Sequence, residues 1–264
     1  QNPVIGWPSD IENWAQEDLE SFFRTYYAPN NITMVIVGDV TPEEIYRLAD
    51  QYLAPLVPRD EPPVVDTVEP EQQGARRLVI ETDAQAPMLH VAFHSGAAAD
   101  PDTLHLDLLL AILADGASSR LHRLLVEEEQ LALGVGGWHS GGFDPGLTYF
   151  ALTLPPASDI PAVEERLLAE LERVVDEGIL ESELEKARNL ELASFWRSLQ
   201  TISDKAMALG NYEVFTGDYE NLFAVPEQLA EATTADLQAV ATKVFRRGNM
   251  TVGVLHGPAD EGTQ

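Results

Sequence analysis

One pattern occurs twice in this chain, and it constrains the fold more than any other feature. Asn31-Ile32-Thr33-Met34-Val35 falls thirteen residues after Asp18-Leu19, and Gly38 follows. Asn249-Met250-Thr251-Val252 stands in the same relation to Asp236-Leu237, with Gly257 behind it. Each copy reads as a helix, a polar turn, a strand and a glycine. The two copies lie 218 residues apart, a spacing that suggests a duplicated domain rather than a solenoid of short repeats. On that reading the second copy runs whole from about Arg76 to Pro258. The first copy is present from its penultimate helix onward, and about 140 of its residues are expected upstream of Gln1.

The residues between these ends fill in the elements. Leu19, Phe22, Phe23 and Tyr26 have the spacing of an amphipathic helix over Asp18–Tyr27. Pro29-Asn30-Asn31 ends it, and the β-branched run Ile32–Val37 predicts a buried strand. Because most of its own sheet is expected upstream, that strand should pair with another chain or pack on the second domain. Thr41-Pro42-Glu43-Glu44 predicts a helix start, with the helix running to about Leu53. Ala54–Gly74 carries five prolines and little periodicity, so it reads as an extended linker.

Beyond the linker, RRLVIETD and PMLHVAFHSGA alternate as two strands. A helix ended by Gly116 follows, then a helix capped by Ser118, then strands over Leu131–His139 and Leu147–Leu154. Three helices come next, the first closed by Gly178. A helix with a Thr233–Asp236 capping box and a closing strand MTVGVLHG finish the pattern. Strands early and late around a block of helices predict an α+β fold: an antiparallel or mixed sheet with helices on one face. The expected organisation is a first-domain remnant over 1–53, a linker over 54–74, a second domain over 75–258 and a tail over 259–264.

Composition narrows the function. Sixteen Lys and Arg face forty-four Asp and Glu, a formal charge of -28. Such a surface repels nucleic-acid phosphates and anionic lipid. No apolar run reaches the length of a membrane span, so no membrane insertion is expected. With no cysteine, thiolate metal ligands and disulfides are excluded.

The stretch NPVIGWPSDIENWAQEDLESFFRTYYAPNNITMVIVGDVTPEEI resembles the end of the first domain of the insulinase/pitrilysin zinc metallopeptidases. The matching points are Gly6-Trp7, Asp18-Leu19, Phe22 or Phe23, Tyr27, Pro29-Asn30-Asn31 and Val37-Gly38-Asp39. ASSRLHRLLVEEEQLAL and EGILESELEKARNLE resemble second-domain helices of the same family. The resemblance implies duplicated α+β domains that enclose an unfolded peptide, with zinc in the intact parent. The family binds zinc through H-x-x-E-H, which this sequence lacks, so no zinc ligand or catalytic residue carries over. Some members supply an Arg and, seven residues on, a Tyr from the second domain. Those positions are Val126 and Leu133 here, and neither side chain donates a hydrogen bond. The resemblance thus implies a zinc-bearing parent working with a homologous partner subunit or as a homo-oligomer. The alternative is a non-catalytic subunit that scaffolds or binds peptide. For a bacterial parent, a periplasmic address is favoured over a cytoplasmic one.

Few residues offer chemistry of their own. His90 and His94 stand four apart on a strand, about 13 Å along its axis and too far to share an ion. Gly134–Gly142 superficially resembles a phosphate loop but lacks the Lys-Ser/Thr ending, so it reads as a flexible or bulged hairpin. Trp138 and His139 within it are candidates to line a peptide groove. Glu127-Glu128-Glu129 reads as a solvated helix face.

Overall fold

A computed structural model describes residues 5–257 of the 264-residue chain. The expected tail 259–264 and the domain end at Pro258 lie outside the described residues. Five strands form a mixed sheet: β1 (Arg76–Glu81), β2 (Met88–His94), β3 (Gly134–Ser140), β4 (Leu147–Thr153) and β5 (Met250–His256). Their spatial order is β1-β5-β2-β4-β3, with β1 parallel to β5 and every other pair antiparallel. The chain is α+β, as its pattern predicts.

Alternation decides which face is covered. Leu89, Val91 and Phe93 of β2, Phe150 and Leu152 of β4, and Met250, Val252 and Val254 of β5 all point into one core. Helices close that face: α4 (Thr103–Ala114), α5 (Arg120–His122), α6 (Ile160–Glu177), α7 (Glu181–Arg197), α8 (Ile202–Thr216), α9 (Asn221–Glu231) and α10 (Thr234–Val244). Helix α4 is apolar almost all round and is buried from Leu108 to Ala114, as a central helix must be. Gly116, Gly178 and Gly217 take positive φ where α4, α6 and α8 give way to turns, a geometry that favours glycine. Among the described residues no helix is long and apolar enough to cross a membrane.

The repeat is visible bond by bond. The Asp18 carboxylate accepts from the Ala15 N–H at the start of α2 (Gln16–Tyr26), as Asp236 accepts from the Thr233 N–H at the start of α10. Both helices run into a single 3-10 turn, Pro29–Asn31 and Arg247–Asn249. The amides of Asn31 and Asn249 donate back to the carbonyls of Tyr26 and Val244. The copies diverge at the strand. β5 lies between β1 and β2, whereas the run from Ile32 to Val37 is extended but pairs with no strand among the described residues. The expected buried strand is therefore corrected. Ile32, Met34 and Ile36 are exposed, Val35 and Val37 are half-buried, and Val35 reaches α8 beside Gly210. Alternation buries a strand only where strands pair with it and a layer covers its face, and this segment pairs with no strand among the described residues.

Short helix α1 (Pro8–Glu12) precedes α2, and α3 (Pro42–Tyr52) follows under a Thr41 cap. Ala28 is the buried hydrophobic residue of the stretch 5–60, whose aromatics are largely exposed. The stretch 54–74 has no regular structure, yet Gln72 anchors its end: its amide donates to Met250 O, 2.7 Å away, and its Oε1 faces His94. Two further expectations change. Ser119, not Ser118, sits at the start of α5, without a side-chain cap hydrogen bond, and the Ser118 hydroxyl accepts from Lys186 instead. Helix α9 was not expected, since Pro226 lies inside it and removes a backbone donor.

Candidate functional site

The outermost strand β3 brings several singled-out residues to one edge. After α5 the helix widens into a π-helical turn, Arg123–Glu128, and Gln130 ends it with a φ of 53°. Leu131 and Ala132 both donate to Leu125 O, which turns the chain toward the sheet. Leu133 N–H then meets Thr153 O at 2.8 Å, and β3 runs beside β4 in unbroken register from Gly134 to Ser140. The strand expected over Leu131–His139 forms as β3 and pairs with β4 as a hairpin, without the bulge expected of its glycine run.

Its glycines have distinct causes. A Cβ on Gly137 would stand 2.8 Å from Ala114 Cβ and 3.3 Å from Leu110 Cδ2, so α4 packs too closely for any side chain. A Cβ on Gly134 or Gly136 would meet nothing within 4 Å. Those two leave the backbone bare without any packing need. Because β3 pairs with β4 alone, the amides and carbonyls on its other side face outward, unpaired with any strand among the described residues.

Side chains alternate across the edge. Trp138 lies on the open face, 46% exposed, stacked on its register partner Tyr149 with ring centroids 5.2 Å apart. His139 lies on the helix face, its Nε2 3.2 Å from Gly96 O. It ties the hairpin to the loop after β2, and it does not share a face with Trp138. Leu133 is 61% exposed just ahead of β3, whereas Val126 sits on the π-helical turn, half-buried against the core. The structure thus gathers Leu133, Trp138 and the bare glycines at one edge and leaves Val126 inside. The bare backbone was missed because a glycine run reads as flexibility. The signal was present in the alternation of Val135, Gly137 and His139 with Gly136 and Trp138.

His90 and His94 share the open face with Ala92, as alternation requires, and His94 is engaged by Gln72. Among the described residues no three His, Asp or Glu side chains form a group able to hold a metal ion. The donor set that zinc requires is not assembled by these residues.

Comparison with known proteins places this geometry. A family profile described as the peptidase M16 inactive domain matches residues 13–191. The zinc protease PqqE of Helicobacter pylori is 29% identical over 254 residues, covering 95% of this chain and 57% of that protein. An uncharacterized zinc protease of Rickettsia bellii is 26% identical over 246 residues, covering 92% of this chain and 58% of its own length. The chain spans more than half, but less than two thirds, of these relatives. Among solved structures, a protease from Helicobacter pylori superposes with a TM-score of 0.88 at 28% identity, covering 96% of this chain and 61% of that one. A peptidase M16 inactive domain from Pseudomonas fluorescens gives 0.86 at 21% identity, covering 99% and 62%, a likeness of fold.

Proposed function

The chain belongs to the M16 peptidase family, as a non-catalytic peptidase-like domain, and from that premise we propose that it holds peptide rather than cuts it. In this reading β3 forms one wall of a chamber in a zinc-dependent endopeptidase. An extended peptide adds as a sixth strand beside β3, and main-chain hydrogen bonds hold it irrespective of sequence. That mode selects unfolded segments, since a folded protein has few free strands to offer. The observation that carries the reading is the bare edge at Gly134 and Gly136 beside the exposed Trp138.

Zinc and the water-activating carboxylate belong, on this proposal, to a homologous domain in the parent or in a partner subunit. The bond-for-bond repeat of α2 and the 3-10 turn in α10 and its turn supports a second domain of the same kind. A non-catalytic scaffold would use the same edge. Zinc content of the intact parent separates the two.

The test uses Trp138 as reporter. Titration with a capped, neutral ten-residue peptide of alternating apolar and polar residues should change its fluorescence saturably. Gly136→Lys places a charge on the edge without a clash and should weaken binding about tenfold, with the unfolding temperature unchanged. Equal binding by Gly136→Lys would remove β3 from the account.

A further inference from the structure

The edge opposite β3 is built differently. β1 pairs with β5 alone, and all six of its residues, Arg76 to Glu81, are exposed. Leu78, Val79 and Ile80 are 57%, 54% and 45% exposed. Alternation puts Val79 on the helix side and the other two on the open side, so the strand shows apolar surface on both faces. An edge of this kind invites another strand.

The backbone phase of β1 decides which strand fits. The Thr82 N–H donates to His256 O, 3.0 Å away, so Thr82, Ile80 and Leu78 turn their main-chain groups toward β5. Arg77, Val79 and Glu81 turn theirs outward, where no strand meets them among the described residues. A well-paired antiparallel partner must set its own outward-facing residues opposite these three.

A second β1 does so. About a two-fold axis at Val79, Arg77 of one copy falls opposite Glu81 of the other, and Val79 falls opposite Val79. Each is a pair that exchanges two main-chain hydrogen bonds. Leu78 falls opposite Ile80 on the open face, so apolar meets apolar there too. Slipping to the next register of the same phase puts either Arg77 or Glu81 opposite Val79. Charge at an edge normally keeps copies apart, yet here the two-fold brings opposite charges together. Glu81 has no cation partner among the described residues. Arg77 reaches Glu164 of α6 at 2.6 Å with its side chain still 43% exposed, and a guanidinium has donors for a second carboxylate.

We infer that β1 is a self-pairing edge, on which a second copy of this chain adds antiparallel across a two-fold axis at Val79. The two five-stranded sheets then join into one. A contact of six residues a side is small and the net charge of -28 repels, so the dimer is weak, with a Kd on the order of 10–100 µM. β3 lies at the far edge and stays open, so this inference and the reading of β3 fail separately.

Sedimentation equilibrium of the chain from about 10 µM to 1 mM, in about 0.15 M salt to screen the long-range repulsion, tests it. The mass should rise from one chain to two and stop, because a two-fold pairing uses up both β1 edges. Arg77→Glu sets acid against acid at both charge pairs, and Glu81→Arg sets base against base. Each variant alone should dimerise about tenfold more weakly or worse. An equimolar mixture of the two restores opposite charges at both pairs and should recover the wild-type affinity to within about threefold. Thermal unfolding checks that each variant folds. Glu81→Arg breaks no contact within the chain, so its weakening stands whatever Arg77→Glu loses at Glu164. A monomer at every concentration would overturn the inference, as would a mass that grows past two chains. So would dimers that ignore the single charge reversals, as association through the exposed aromatics of α2 would, or a mixture no tighter than either variant alone.

Discussion

A single missing Cβ separates two kinds of glycine on β3. Gly137 is glycine because α4 lies against it, and Gly136 is glycine with open space beside it. Gly137→Ala should therefore destabilise the fold by about 2 kcal/mol, since Ala114 sits on a buried helix and has little room to move. Gly136→Ala should be neutral or stabilising by about 0.5 kcal/mol, because only the unfolded chain loses freedom. Thermal unfolding of the pair checks this, and equal effects would contradict the assignment of faces. At this scale local chemistry was legible in sequence: the Thr233–Asp236 capping box and the stops at Gly116 and Gly178 all form. Ser118 misled: its hydroxyl accepts from a long-range partner, Lys186, and no local pattern encodes that.

Among elements, one ionic cluster ties three helices together. Arg120 of α5 grips Glu183 of α7 with two hydrogen bonds of 2.7 and 2.6 Å, and its third nitrogen lies 3.6 Å from Glu170 of α6. Glu170 is nearly fully buried, so Arg120→Met leaves a buried carboxylate short of a partner and should cost about 3 kcal/mol in urea unfolding at neutral pH. Burial alone would push the Glu183 carboxyl up. The Arg120 hydrogen bond, the Leu180 N–H and the nearby positive charges outweigh burial and hold it below its ordinary 4.5. A depressed acid stabilises the fold above the unfolded value, and that contribution is lost as pH falls through the folded one. The gap between wild type and Arg120→Met should thus narrow below pH 4.5. A gap that widens on acidification would show that Glu183 is not held by Arg120. Element types were mostly legible from periodicity. The exceptions are instructive: α9 hid behind Pro226 although Leu222, Val225 and Leu229 keep helical spacing, and the run from Ile32 to Val37 has a strand's sequence without a strand's neighbours.

For the whole molecule, the duplicated unit and the mixed sheet were legible because the repeat and the alternation are sequence properties. The edge position of β3 was not, since strand order depends on crossovers that no local pattern states. That position is what makes the domain a candidate peptide holder, with β5 central and β3 outermost. The most direct measurement is amide hydrogen exchange across β3, with and without the neutral ten-residue peptide at saturation. The account predicts slowed exchange confined to outward-facing amides between Gly134 and Ser140, lost in Gly136→Lys. Exchange on β3 unchanged by bound peptide would contradict it.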